Sequence, residues 1–333
     1  MFMRTLCAYH ARMADQPDQT NQTNRSTLPT IGITMGDPAG IGPEVIIKAL
    51  SHPSLQNRAR YIIYGMNELL AYAADLAEIH PFWWRLPHES PLVDADLAQN
   101  TLVLDFDEYS LLGQNYHRPT RQGGEASLAF IDQAINDAMK PANSPGHLDA
   151  IVTAPVCKES WALAGKKKYP GHTELFQNYT HAKRSVMMFV GKKLRVALAT
   201  VHIPLMTLRD TLTIGKVFDA IDLGHDACKK LGIDKPRIAV CGLNPHASEN
   251  GLFGCEEERV ITPAIMMAKE QGFNVSGPFP ADTLFIDAVA GKYDLVVAMY
   301  NDQGLIPVKL LEFDQHVSEK LNHCCLVGHT RLC

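Results

Sequence analysis

Short apolar runs alternate with longer amphipathic stretches along most of this chain, and that alternation restricts the fold more than any other feature. From Pro29 onward the runs read IGITM, RYIIYG, TLVLDF, LDAIVTAPV, RSVMMFVG, LRVALATV, RIAVCGL and YDLVVAMY. Between several of them stand helical patterns: PEVIIKAL, NELLAYAADLAE, EASLAFIDQAINDAMK and the stretches 214–231 and 256–271. Apolar runs without polar alternation suit strands covered on both faces, and successive parallel strands require crossover connections. The expected class is therefore α/β, with largely parallel sheets and helices on both faces.

At 333 residues the chain is long enough for two domains. Its 36 acidic and 31 basic residues leave a net charge of -5, so no overall positive field draws it to nucleic acid. No apolar stretch approaches the roughly 18 residues of a membrane helix. The opening MFMRTLCAYHARM lacks the unbroken apolar segment of a secretory signal, and Asp15 and Asp18 argue against a transit peptide. A cytoplasmic protein is expected, with polar, aperiodic residues 14–28 making 1–28 a disordered lead-in. Cys7, Cys157, Cys228, Cys241 and Cys255 are scattered without C-x-x-C spacing, as reduced thiols would be. Cys324, Cys325 and Cys333 crowd the end of the chain and receive no role.

In parallel sheets ligands bind beyond the carboxyl ends of the strands, where loops converge and helix N-termini point inward. The segments following five runs are TMGDPAGIGPE, VTAPVCKE, ATVHIP, CGLNPHASENG and AMYNDQG, whereas LGIDKPR and VAGKYD read as plain surface connectors. In GDPAGIGPE, Pro43 suits the first helical position and Glu44 the positive end of the dipole. This segment is neither the dinucleotide fingerprint nor a P-loop, and a tight turn and a ligand-facing loop both fit it. In YPGHTELF, His172 and Thr173 open a helix, where they can add donors to a phosphate or carboxylate; a threonine cap beside a surface histidine is the plainer alternative. The run Lys166-Lys167-Lys168 fits a small anion site or a solvated charge cluster.

His202 and His246 each follow an apolar run, and two neutral imidazoles can converge on one divalent ion. Asp282 in PADTLF and Asn301, Asp302 and Lys309 in YNDQGLIPVK complete a polar set. Carboxylates suit a site beside a cation, and a lysine there can hold a phosphate or move a proton. Together these loops point to a metal-assisted site at one edge of a sheet.

ITMGDPAGIGPEVIIKAL, VTAPVCKE, YPGHTELF, VALATVHIPL, CGLNPHAS, GPFPADTLF and AMYNDQGLIP, in that order, closely resemble the 4-hydroxythreonine-4-phosphate dehydrogenase family of pyridoxal phosphate biosynthesis, over roughly residues 29 to 317. The resemblance implies a two-domain subunit of the isocitrate/isopropylmalate dehydrogenase type, a homodimer, and NAD-dependent oxidation and decarboxylation of a phosphorylated hydroxy-amino acid. It also implies a divalent metal, which would be zinc, magnesium, manganese or cobalt. By matching motif positions, His202, His246 and Asn301 would hold the metal, while His172, Thr173 and Lys309 would contact substrate. Lys309, Asp282 and Asp302 would be catalytic, and no residue is matched to NAD.

The implied domains are 29–124 with 309–333, and 125–308 carrying metal and substrate residues in the cleft. A sister enzyme acting on erythronate or threonate 4-phosphate fits the same motifs. Asn301 stands where the family commonly has a third histidine; an amide oxygen is a weaker, harder ligand, which favours magnesium or manganese over zinc. After FDQHV the chain runs SEKLNHCCLVGHTRLC, without the family's closing strand, substrate arginine and cofactor loop. The expectation is a truncated C-terminus with damaged cofactor binding, the extreme case being a non-catalytic remnant that binds metal and ligand.

Overall fold

The structure is a computed structural model, which describes residues 28–90, 100–109, 118–142, 144–166, 172–180, 182–312, 317–322 and 326–329. Most of the expected lead-in lies outside these residues, as do Lys167, Lys168, Cys7, Cys324, Cys325 and Cys333. The described residues form two compact units, one reaching to Ala182 and including the strand at 326–329, the other beginning at Lys183.

The first unit is built on a parallel sheet in the order β3-β4-β2-β1-β5-β12. Its strands are β1 (Thr30–Thr34), β2 (Arg60–Gly65), β3 (Trp84–Pro87), β4 (Thr101–Asp105), β5 (Ala150–Thr153) and β12 (Leu326–His329). Burial of every residue of β5, and of all but the first of β1, β2 and β4, explains why these runs lack polar alternation. Helices α1 (Gly42–Leu50), α2 (Asn67–Leu76), α3 (Arg121–Ala138), α4 (Lys158–Leu163) and α5 (His172–Tyr179) belong to the same unit. Thr120 caps α3 by accepting the Gly123 N–H at 2.9 Å, and the helix then buries Phe130, Ile131 and Ile135 in a core shared with Ile33, Ile63 and Leu70.

The second unit has the sheet order β11-β6-β7-β10-β8-β9. Its strands are β6 (Ser185–Val190), β7 (Arg195–Leu198), β8 (Ile238–Cys241), β9 (Val275–Phe279), β10 (Leu295–Ala298) and β11 (Val317–Asn322). From β7 to β9 the pairing is parallel, and β10 is inserted between β7 and β8. The β6–β7 and β11–β6 pairs are antiparallel. Only a short turn, closed by Gly191 N–H to the Leu194 carbonyl at 3.0 Å, separates β6 from β7, which leaves no length for a crossover. Helices α6 (Ile214–Lys230), α7 (Thr262–Glu270), α8 (Ala281–Val289) and α9 (Asn301–Glu312) complete the unit.

The division between the compact units falls at residues 182/183. Helix α3 is the reason, since it packs on β1, β2 and β5 and so draws 125–182 into the first unit. The last turn of α9 stays with the second unit, because Leu305 and Val308 are buried beside Val196, Leu198 and Ala298. The final segment supplies β11 and β12.

Candidate functional site

Four adjacent parallel strands of the second unit, in the order β7-β10-β8-β9, end on one edge of the sheet. His202 follows β7, Asn301 opens α9 directly after β10, His246 follows β8 and Asp282 lies in the first turn of α8 after β9. The expected loop residues thus leave from neighbouring strands. His202, His246, Asp282 and Asp302 are exposed, and Asn301 is half-buried.

Hydrogen bonds join these exits in series. Ala199 N–H donates to the Ala298 carbonyl at 2.9 Å and the Thr200 hydroxyl to the Met299 carbonyl at 2.7 Å, tying β7 to β10. The Gln303 amide accepts from Met299 N–H at 2.7 Å and donates to the Gly242 carbonyl at 2.8 Å, tying β10 to β8. Gly242 N–H then donates to the Phe279 carbonyl at 2.8 Å, tying β8 to β9. Buried backbone groups at strand ends need such partners, and here they also fix the spacing of the exits.

The loop carrying His246 has unusual backbone geometry. His246, Ala247, Ser248, Glu249 and Asn250 all have positive φ, between 45° and 69°. Left-handed backbone costs non-glycine residues roughly 1–2 kcal/mol each and persists only where surroundings impose it. Ser248, buried, accepts Gly251 N–H on its hydroxyl at 2.9 Å, and the His246 ring lies 6.0 Å from that of Phe253. Upstream, buried Glu257 accepts the Leu243 and Asn244 N–H groups, each at 2.7 Å, on one carboxylate oxygen. The Asn244 amide donates to Glu256 at 2.8 Å and to Glu257 at 2.9 Å, and its bond holds the Glu256 carboxyl below the usual carboxylate range.

Among the described residues no group of three His, Cys, Asp or Glu side chains is assembled for a metal. The neighbouring strand exits carry two imidazoles, His202 and His246, and the amide of Asn301. That number is smaller than the four ligands of a structural zinc site and leaves coordination positions for substrate oxygens, so the residues fit an open, catalytic type of divalent site.

Lys309 is set apart. It is half-buried in the last turn of α9, about 12 Å along the helix axis from Asn301 at 1.5 Å per residue. His172 and Thr173 begin α5 in the first unit, where the helix start itself is as expected. Cys241 offers no nucleophile, because burial pushes its thiol far above the usual range.

The glycine-rich turn after β1 is held by close backbone contact. A Cβ on Gly36 would stand 2.1 Å from the Pro155 carbonyl oxygen, and one on Gly42 would stand 2.0 Å from that of Met35. These two glycines are required by backbone packing, while Pro38, Ala39, Gly40, Ile41, Pro43 and Glu44 of the same turn line a cavity of about 350 Å³. Beside it, Asp37 is 4 % exposed with one carboxylate oxygen unpartnered, as are the hydroxyls of the register partners Thr34 and Thr153.

Sequence reasoning missed Glu257 and gave Gln303 no role. Gln303 could have been found from its place in YNDQG, and Glu257 from the acidic run EEE after a glycine-rich turn. Neither sequence signal names a partner.

The family PdxA, pyridoxal phosphate biosynthetic protein PdxA, matches residues 57–324. The chain is 40% identical over 306 residues to a 4-hydroxythreonine-4-phosphate dehydrogenase of Desulforapulum autotrophicum, covering 88% of this chain and 84% of the relative. It is 42% identical over 285 residues to a D-threonate 4-phosphate dehydrogenase of Salmonella typhimurium, covering 85% and 84%. Among solved structures, a 4-hydroxythreonine-4-phosphate dehydrogenase from Burkholderia phymatum superposes with a TM-score of 0.80 at 37% identity, covering 92% of this chain and 90% of that one.

Proposed function

This chain belongs to the PdxA family of pyridoxal phosphate biosynthetic proteins, and we propose that it catalyses the NAD-dependent oxidation and decarboxylation of 4-phosphohydroxy-L-threonine with the help of a divalent ion. It is an oxidoreductase of that family. The observation that carries the metal-assisted reading is the placement of His202, Asn301 and His246 at the ends of three adjacent parallel strands.

When bound, NAD accepts the hydride and the divalent ion polarises the substrate oxygen that loses its proton. His202 and His246 would hold the ion through imidazole nitrogens, and Asn301 would add an amide oxygen. Asp302 and Asp282, exposed at the same edge, take up the hydroxyl proton and return one to the carbon left after decarboxylation. Lys309 holds a different part of the substrate from the one at the strand ends. His172 and Thr173, at the start of α5, would serve as phosphate contacts, since a helix N-terminus favours an anion. No step is assigned to a residue of the NAD site.

A second reading, oxidation of D-threonate 4-phosphate, is supported by the 42% identity to the Salmonella relative. The metal and phosphate groups serve either substrate. The protein works in the cytoplasm as a homodimer. Among the described residues no helix is long and apolar enough to cross a membrane.

The test is NADH formation by the purified chain with each substrate in turn, with zinc, magnesium, manganese or cobalt supplied. Metal-dependent turnover of 4-phosphohydroxythreonine in preference to D-threonate 4-phosphate supports the first reading. The reverse preference supports the second, and no turnover of either substrate with any metal overturns both.

A further inference from the structure

We propose that Glu257 and Gln303 are positioning residues which fix the distance between the His246 loop and the start of α9, and thereby set the affinity of the second unit for its divalent ion. The inference rests on the metal reading above. Both side chains bond backbone that leads directly into a proposed ligand.

Gln303 uses both ends of its amide. Its oxygen accepts Met299 N–H at 2.7 Å, just upstream of Asn301, and its nitrogen donates to the Gly242 carbonyl at 2.8 Å, just upstream of His246. A side chain that must accept from one strand exit and donate to the next has to be an amide of this length. Helix α9 can approach closely enough because Gly304 follows, where a Cβ would stand 2.7 Å from Leu198 and 2.8 Å from Val196 side-chain carbons.

Glu257 works from the other side of the same loop. It is 3 % exposed, and a carboxylate that deep is tolerable only when hydrogen-bonded. It accepts three hydrogen bonds from the loop: Leu243 N–H, Asn244 N–H and the Asn244 side-chain amide. Glu257 opens a π-helical turn, Glu257–Ile261, a local widening that recurs at functional sites. Downstream, the positive-φ run from His246 to Asn250 requires surroundings that impose it, and these two residues clamp the segment entering it. Groups that orient metal ligands in this way typically account for about 10–100-fold in metal affinity.

Two substitutions separate positioning from simple support of the fold. Gln303→Glu keeps the acceptor for Met299 N–H but loses the donor to Gly242. Glu257→Gln keeps the acceptor for the two backbone N–H groups but turns an NH2 toward the Asn244 amide, whose flip is blocked by Glu256. The full chain, stripped with chelator, is titrated with Mn2+ and Zn2+ by calorimetry and with Co2+ by visible absorption. Each variant is expected to bind about 10–100-fold more weakly with a shifted Co2+ spectrum, while still unfolding cooperatively. Unaltered affinity and spectrum in folded variants overturn the proposal.

His246→Ala is titrated in parallel. If it binds as tightly as the unaltered chain, the metal reading has failed rather than the positioning claim. The claim is then decided by amide hydrogen exchange over residues 242–250, which must be faster in Gln303→Glu; unchanged exchange overturns it. The same exchange experiment on Gln303→Glu decides the matter if Glu257→Gln does not fold.

Discussion

The two units treat the carboxyl edges of their sheets in different ways. In the second unit, side-chain and backbone hydrogen bonds run from exit to exit through Thr200, Gln303 and Gly242, so the loops are held from below and their histidines are exposed above. In the first unit the exits of β1 and β5 are held by close backbone contact at Gly36 and Gly42, and oxygens of Thr34, Asp37 and Thr153 stay buried without partners. The contrast shows how two parallel sheets can use the same edge differently. One edge is braced by hydrogen bonds between strand exits, and at the other Gly36 and Gly42 are held against backbone carbonyls. Substitutions should therefore lower ligand affinity at the braced edge and folding stability at the packed one.

The largest stability effect is expected at the packed edge. Gly42→Ala sets a methyl group against a backbone carbonyl that cannot turn aside, and overpacking of this kind costs about 1–3 kcal/mol or more. Denaturant unfolding should show that loss with ion affinity per folded molecule unchanged; an undiminished midpoint would break the comparison. A smaller effect is expected at the braced edge. Thr200→Val keeps the shape but removes the 2.7 Å bond to the Met299 carbonyl, worth about 1 kcal/mol. Equal stability of this variant, measured the same way, would mean the series of bonds does not hold the β7 exit.

The smallest effect lies at the opposite end of the second unit's sheet. Arg237 donates to both carboxylate oxygens of Asp294, at 2.9 and 3.0 Å, and this holds the Asp294 carboxyl below its ordinary range. The folded pKa is depressed, so the contribution is fully present above the unfolded value of about 3.9 and is lost as pH falls through the folded one. Acid titration of stability should show a slightly steeper loss for the unaltered chain than for Arg237→Gln. Arg237 is exposed and Asp294 half-buried, so the difference should be small, and none at all would sharpen the view that only edge contacts matter.

Much of this fold could be read from periodicity. The strands later assigned as β1, β2, β4, β5, β7, β8 and β10 are apolar runs because neighbouring strands and helices cover them. What escaped was structure that contradicts local preference. Helix α9 contains Gly304 and Pro307, both helix breakers, and forms because Leu305 and Val308 are buried against β7 and β10. Strand β9 reads VSGPF, with glycine and proline inside and an irregular register against β8, and β3 is mostly exposed. The placement of His202, His246, Asn301, Asp302 and Asp282 at strand exits was legible because strand ends are. The bracing by Gln303 and Glu257 was not, because Gln303 meets a carbonyl 61 residues away and Glu257 meets N–H groups 13 and 14 residues back, and only the folded chain brings these together.

The most direct test of the account is divalent-ion binding by the purified full chain, compared with His202→Ala and His246→Ala. Calorimetric titration with Mn2+ and Zn2+ should give one site per chain in the unaltered protein and no measurable site in either variant, with folding retained because both histidines are exposed. Full-affinity binding in both folded variants would contradict the assignment of the strand exits as a metal site and, with it, the metal-assisted mechanism.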